Sequence, residues 1–285
     1  MNYYHVDVFS EKSLSGNGLT VIFCQEEISC MQATSWMQTM AREFKQFETI
    51  FLQEIGEKRF RARIFTVEEE LDFAGHPVIG ATAAIHDSLF PDESSLEVIF
   101  ELPGKNLQAE SQKKNGHFRV MMNQGISEFC GVVEGEIKET LLKNLNLTSV
   151  DLYKDLQMEV VSTGLPYLIV PIASGIEKAK ICVDDLEEKL AEIGAKFVYI
   201  LDVEAKEGRT WDNLGAVEDV ATGSAAGPAG AWLFAKGLCP DMQEITINQG
   251  RFVGRPSKIQ VQKDSMTGEI KVLGDVTILV KGQIV

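Results

Sequence analysis

Two places in the sequence set a glycine and a polar residue at the head of a small-residue run: Gly75-His76 before residues 77–86, and Gly223-Ser224 before residues 225–236. Pro77 suits the first turn of a helix, and both runs are predicted as helices. A helix N-terminus carries N–H groups without intrahelical partners and a partial positive charge, so it holds an anion or a developing oxyanion. Glycine at that end lets a ligand approach the backbone closely. One such motif is explained as well by tight packing of a buried helix. Two in corresponding positions favour a site, and if the two halves of the chain face each other, both ends point into one cleft.

Glu48 begins the run Glu-Thr-Ile-Phe-Leu at residues 48–52, where strand alternation gives it the same face as Ile50 and Leu52. A carboxylate ending an apolar row is disfavoured in its charged form, which suits a general base near neutrality. On pattern alone, a strand-end glutamate reaching solvent outweighs that reading. His76 offers a donor to a substrate oxygen, or else caps its helix. Ser224 offers a hydroxyl to the anion site, or caps its own. Asp219 could orient a substrate hydroxyl or amine, although alone it reads as a solvated loop acid beside Glu218. Asn17, between Gly16 and Gly18, has the type of a turn residue tolerating left-handed backbone. The Gly-Arg-Pro-Ser run at residues 254–257 is a further candidate turn.

The elements that would carry these residues follow from periodicity. Residues 5–9 and 19–23 alternate as strands around a turn at residues 15–18. Ser29 and Gln32 form a capping box for a helix with Ala33, Trp36, Met37, Met40, Ala41 and Phe44 at helical spacing. Strands are predicted at residues 48–52 and 59–65, the latter with Phe60, Ala62 and Ile64 on one face and three arginines on the other. The second half repeats the order. Residues 163–172 read as turn and strand, Asp184 or Asp185 caps a helix that Gly194 ends, residues 196–201 form a strand, and a small-residue helix opens at residues 221–227. Leu19 and Leu165 lie 146 positions apart, Leu52 and Leu201 149, and His76 and Ser224 148. This shared offset suggests two halves of similar topology, with chance alignment of common elements as the alternative. The counterpart of Glu48 is then Phe197, so a carboxylate base exists on one side only. One base that removes and returns a proton on the same face fits better than two opposed bases.

Length and charge bound the rest. The 285 residues suggest two domains, with a boundary near residues 113–116, where Lys, Asn and Gly cluster. A net charge of −15 argues against nucleic acid and anionic membrane surfaces as partners. Five cysteines with no CxxC pair fit neither a disulfide framework nor a zinc site; reduced, mostly buried thiols are expected, with no metal. No basic stretch followed by an apolar run opens the chain, and the apolar stretch at residues 160–176 is broken by Pro166 and Pro171. A cytoplasmic location is therefore expected. Gly16-Asn17-Gly18 runs into a β-branched strand and not a helix, so it is no dinucleotide fingerprint. A two-thiol racemase would want cysteine ahead of each glycine, where Ala74 and Thr222 stand.

Five blocks carry a resemblance: Ser-Gly-Asn-Gly-Leu-Thr-Val (15–21), Phe-Glu-Thr-Ile-Phe (47–51), Asp-Phe-Ala-Gly-His-Pro-Val-Ile-Gly-Ala (72–81), Glu-Asp-Val-Ala-Thr-Gly-Ser-Ala-Ala-Gly-Pro (218–228) and Gln-Gly-Arg-Phe-Val-Gly-Arg-Pro-Ser (249–257). In this order they resemble the signature blocks of the phenazine-biosynthesis-like (PhzF-like) isomerase family, across nearly the whole chain. The resemblance implies an α+β protein of the diaminopimelate-epimerase-like fold. Two similar domains would each wrap a curved mixed β-sheet around a central helix, with the active site in the cleft between them. The expected domains are residues 1–115, with Glu48 and His76, and 116–285, with Asp219; residues 275–285 are a candidate to return to the first.

It further implies a homodimeric, cofactor-independent isomerase acting on a small carboxylate. The best-known member of the family moves a double bond in trans-2,3-dihydro-3-hydroxyanthranilate, and a glutamate shuttles the proton. That glutamate matches Glu48, the family's site histidine matches His76 and its aspartate Asp219. Gly75, Gly223 and Ser224 match the groups near the substrate carboxylate, and Asn17 is carried as a substrate-binding residue. With these matches Glu48 becomes the favoured base. An epimerase using other bases, or a non-catalytic binder of small molecules on the same scaffold, are the alternatives. The chain departs from the family at Gly18 and Val220, where proline is usual, and often also at Asp72. Phe47 replaces a common serine, and an apolar ring there argues against the phenazine precursor as the substrate.

Overall fold

The computed structural model describes residues 1–25, 31–240 and 243–285, with the backbone alone of Met31 and Gln32. It is a mixed α+β protein whose chain divides into two compact units, Met1–Asn123 with Leu273–Val285, and Gln124–Val272.

In the first unit, β1 (Asn2–Val8), β2 (Asn17–Phe23), β3 (Glu48–Gly56), β4 (Arg59–Phe65), β6 (Ser95–Leu102), β7 (Lys105–Lys114), β8 (His117–Ile126) and β16 (Glu269–Gln283) pair in that order, with short β5 (Glu70–Leu71) beside β4. β16 also pairs antiparallel with β1, from Val8 opposite Val276 to Asn2 opposite Gln283, so the ring of strands closes and leaves no open edge between them. The β2–β3 and β4–β6 pairs are parallel, whereas β1–β2, β3–β4, β4–β5, β6–β7 and β7–β8 are antiparallel. Helix α2 (Gly75–Leu89) contacts β1, β2, β3, β6 and β7, and every residue from Gly75 to His86 is buried. A helix enclosed on all sides must be apolar around its circumference, and close strands require small residues. Gly80 shows the constraint, since a Cβ there would lie 2.5 Å from Leu19 Cδ2 and 2.9 Å from Val6 and Val8 methyls. Helix α1 (Met31–Phe44) packs on the opposite strand face through Met37 and Ala41 against Ile22, Phe51 and Phe65. Glu48, Ile50 and Leu52 alternate with Phe51 and therefore face α2.

In the second unit, β9 (Glu128–Val133), β10 (Met158–Ser162), β11 (Pro166–Ile172), β12 (Phe197–Asp202), β13 (Glu207–Arg209), β14 (Ile245–Gln249) and β15 (Ser257–Lys263) pair in that order. Helix α5 (Gly223–Ala235) lies on β10, β11, β12, β14 and β15, buried from Gly223 to Phe234. Gly230 serves as Gly80 does, for a Cβ would lie 2.5 Å from Val261 Cγ1. Helices α3 (Gly135–Asn144) and α4 (Leu186–Glu192) bury Leu141, Leu142, Leu186 and Leu190 against Leu168, Val170, Val198 and Ile200.

The alternating and small-residue segments of the sequence form the elements read from them. The Ser29–Gln32 capping box lies outside the described residues. Residues 113–116 form the β7–β8 hairpin turn inside the first unit, and the division of the chain runs between Asn123 and Gln124. Residues 95–144, which the sequence reading passes over, supply four strands and α3; their charged exposed faces dilute the apolar pattern. The cysteine expectation needs correction: of the four described free thiols, Cys239 is buried and Cys24 half-buried, but Cys130 and Cys182 are exposed, because β9 and the loop before α4 place them at the surface. Among the described residues, no helix is long and apolar enough to cross a membrane.

Candidate active site

In the first unit, three elements deliver three polar side chains to one buried spot. Glu48 opens β3 and is 6% exposed, His76 is the second residue of α2 and 4% exposed, and Asn17 opens β2 and is 1% exposed. The parallel β2–β3 register sets Leu19 beside Glu48, which brings the Asn17 end of β2 to the base of β3. His76 Nε2 lies 3.2 Å from Glu48 Oε2, and His76 Nδ1 lies 3.5 Å from Asn17 Nδ2. An amide nitrogen only donates, so Nδ1 accepts and the imidazole hydrogen sits on Nε2. That N–H is close to Glu48 but not aligned with it for a hydrogen bond. Neither α2, with Ala74 at its N-cap, nor α5, with Thr222, has a side-chain cap hydrogen bond. His76 and Ser224 are therefore not helix caps. Phe47, next to Glu48, is half-buried.

Burial pushes the His76 imidazole down from 6.5 to about 3, so it is neutral at physiological pH. The unfolded chain takes up this proton near 6.5 and the folded chain only near 3. Stability from this source is thus complete above 6.5 and falls as the pH drops through that window. The loss reaches at most about 2 kcal/mol at pH 5, since the Glu48 carboxylate alongside opposes it. Urea unfolding at pH 7.5 and pH 5 should show the wild type losing more stability than His76→Asn. Equal losses would mean that the ring is not desolvated.

In the second unit, Asp219, Thr222, Gly223 and Ser224 are brought together by the turn that opens α5. Asp219 is buried, contrary to a solvated loop acid. Its N–H donates to Thr210 O at 3.0 Å, its carboxylate accepts the Thr222 hydroxyl, and Ala221 N approaches Oδ1 at 3.4 Å. Ser224 Oγ is 2.9 Å from the Tyr167 hydroxyl, and Gly223 O accepts Gln124 Nε2 at 3.0 Å. Glu218 is held by Arg209, Nε to Oε1 at 2.9 Å and Nη2 to Oε2 at 2.6 Å. The Gly-Arg-Pro-Ser run closes a turn: Gly250 and Gly254 have φ of 87° and 72°, and a Cβ on Gly250 would overlap the carbonyl oxygens of Arg255 and Val220.

Sequence reasoning missed the residues supporting this turn. Tyr167, Tyr199, Thr222 and Gln249 are all buried and hydrogen-bonded around it. Gln249 opens the signature block at residues 249–257, and Gly250 after it was the available signal. In the first unit, Lys105 was also missed; its Nζ lies 3.5 Å from the Phe73 ring centroid, and burial lowers its pKa. Among the described residues, Glu11, His117 and Asp275 have potential metal-ligand atoms within 4.8 Å of one another. Asp275 is already engaged there, with Oδ2 3.1 Å from Arg119 and Oδ1 3.3 Å from His117.

The chain is 29% identical to trans-2,3-dihydro-3-hydroxyanthranilate isomerase of Pseudomonas chlororaphis, over 100% of this chain and 99% of that protein. A solved structure described as a predicted epimerase of Pseudomonas aeruginosa superposes with a TM-score of 0.92 at 42% identity, covering 100% and 99% of the two chains. A probable proline racemase of Agrobacterium radiobacter shares the fold alone, with a TM-score of 0.68 at 14% identity, covering 100% and 92%. Residues 6–282 match the family described as phenazine biosynthesis-like protein, PhzC-PhzF; the chain belongs to that family and is an isomerase.

Proposed function

We propose that the protein moves a proton across an allylic system of a small carboxylic acid, with Glu48 as the proton carrier and no cofactor. Glu48 takes a proton from one carbon, the electron pair delocalises toward an adjacent oxygen, and Glu48 returns the proton two carbons along on the same face. His76 Nε2–H, neutral and unaligned with Glu48, donates to that oxygen, beside the backbone end at Gly75. Asn17 fixes the ring tautomer through Nδ1. Asp219 orients a hydroxyl or amine of the substrate, and the α5 end at Gly223 and Ser224 holds its carboxylate.

The protein would assemble as a homodimer. The observation that carries the reading is a buried carboxylate 3.2 Å from a neutral imidazole whose N–H has no aligned partner among the described residues. A thiol epimerase is disfavoured because Ala74 and Thr222 occupy the N-caps of the two helices.

The test is deuterium exchange followed by proton NMR. The protein is incubated in heavy water with trans-2,3-dihydro-3-hydroxyanthranilate and a panel of unsaturated cyclic amino and hydroxy acids. Single-face incorporation with migration of the double bond supports the reading. Inversion at one carbon would replace it with an epimerase, and a bound but unexchanged ligand with a binding protein.

A further inference from the structure

Gln249 ends β14 with 1% of its surface exposed, and its amide uses its whole hydrogen-bonding capacity. Oε1 accepts the Tyr199 hydroxyl at 3.2 Å and the Thr222 N–H at 3.2 Å. Nε2 donates to the Asp219 carbonyl oxygen at 3.0 Å and to Thr222 Oγ1 at 2.9 Å. Turned over, the amide would set oxygen against the Asp219 carbonyl and nitrogen against the Thr222 N–H, so one orientation alone is satisfied. The consequence falls on Thr222. Its hydroxyl has a single hydrogen, and since its oxygen receives Gln249, that hydrogen is directed to Asp219 Oδ2.

We infer that Gln249 is a positioning residue for Asp219, fixing the direction of a hydrogen-bond chain that runs Gln249 to Thr222 to the Asp219 carboxylate. The inference rests on the proposal that Asp219 touches substrate, and it explains how a carboxylate on a turn keeps one orientation. The same amide grips the Thr222 N–H, so the α5 N-cap and Asp219 are both fixed to the end of β14. Tyr199 supports the far side: burial and the nearby Asp219, Tyr167 and Glu207 push its phenol up, so it stays a donor. The other charged neighbour on the turn, Glu218, is taken up by Arg209. A network with every member satisfied and pointing one way orients its terminal group more firmly than one bond would.

The test reads Asp219 directly and needs no substrate. Protein with 13C-labelled aspartate carboxyls is titrated by NMR, and Asp219→Asn assigns the resonance. Gln249→Glu keeps the shape, removes both Nε2 donors and adds a negative charge. The Asp219 midpoint should rise by at least about one pH unit, with the signal broadened. Gln249→Met, similar in size and uncharged, should raise it less. Thr222→Val should also raise it, while Thr222→Ser leaves it in place. A purely structural role would lower the unfolding temperature and leave the Asp219 midpoint unmoved; that result in any folded Gln249 variant overturns the inference. Should neither Gln249 variant fold, an unmoved midpoint in Thr222→Val overturns it equally. Full deuterium exchange by Asp219→Asn would remove Asp219 from the mechanism, and it is scored separately from the titration.

Discussion

Replacing Glu48 with glutamine should reduce proton exchange and turnover by on the order of 10³-fold, while substrate binding changes little. Glutamine preserves the volume and one acceptor oxygen but has no lone pair basic enough to take a carbon-bound proton. The size of the effect follows from the proposed division of labour, in which Glu48 alone exchanges the carbon-bound proton and Asp219 only orients the substrate. Phe197 stands where the other half would carry a second base, and His76, held to about 3 by burial, keeps its hydrogen on Nε2 as a donor. Glu48→Asp makes a sharper companion, because it retains the base and withdraws it by one methylene. It should leave measurable exchange and lower kcat more than it changes KM. The measurement is deuterium incorporation under single-turnover conditions, with unfolding temperature as the control for folding. Full exchange by Glu48→Gln would end the proposed mechanism.

The second large effect is on stability. Arg209→Met should cost about 3–5 kcal/mol, because it strands the Glu218 carboxylate in a buried position. The Arg209 guanidinium does more than pair with Glu218. Nη1 donates to Ile176 O at 2.7 Å and Ala179 O at 3.0 Å, and the group lies 4.7 Å from the Trp211 ring and 4.1 Å from Phe252. A thioether fills the volume and satisfies none of the three acceptors. Thermal unfolding should therefore fall by on the order of 10 °C. Adding Glu218→Gln to Arg209→Met should recover at least about 1 kcal/mol, since the stranded charge is then gone. A loss below about 1 kcal/mol for the single variant would show that water reaches the pair. Glu218 adjoins Asp219, so the same variant is also expected to impair activity beyond its effect on stability.

The segments built on periodicity were legible without coordinates. Alternation at residues 48–52 identified the face that Glu48 shares with Ile50 and Leu52. The all-small runs after Gly75 and Gly223 identified the two helices enclosed by sheet, because only such residues permit approaches like that of Gly80 to Leu19. The signature blocks identified the family. Periodicity reports which way a side chain points and says nothing of what it meets. Pattern alone favoured solvent for Glu48 and Asp219, and both are buried. Asn17 looked like a turn residue and instead meets His76, 59 positions away, because a parallel strand pairing aligns β2 with β3. The signature block and Gly250 marked the place of Gln249 but not its partners, since four hydrogen bonds to groups 27 to 50 positions distant exist only once β12, β14 and α5 are assembled. The sequence by itself thus determined the elements with clear periodicity, the family and the types of the candidate reactive groups. Which groups touch, and in which protonation state burial leaves them, was decided by the tertiary structure, because desolvation and hydrogen-bond direction depend on neighbours the chain order does not record.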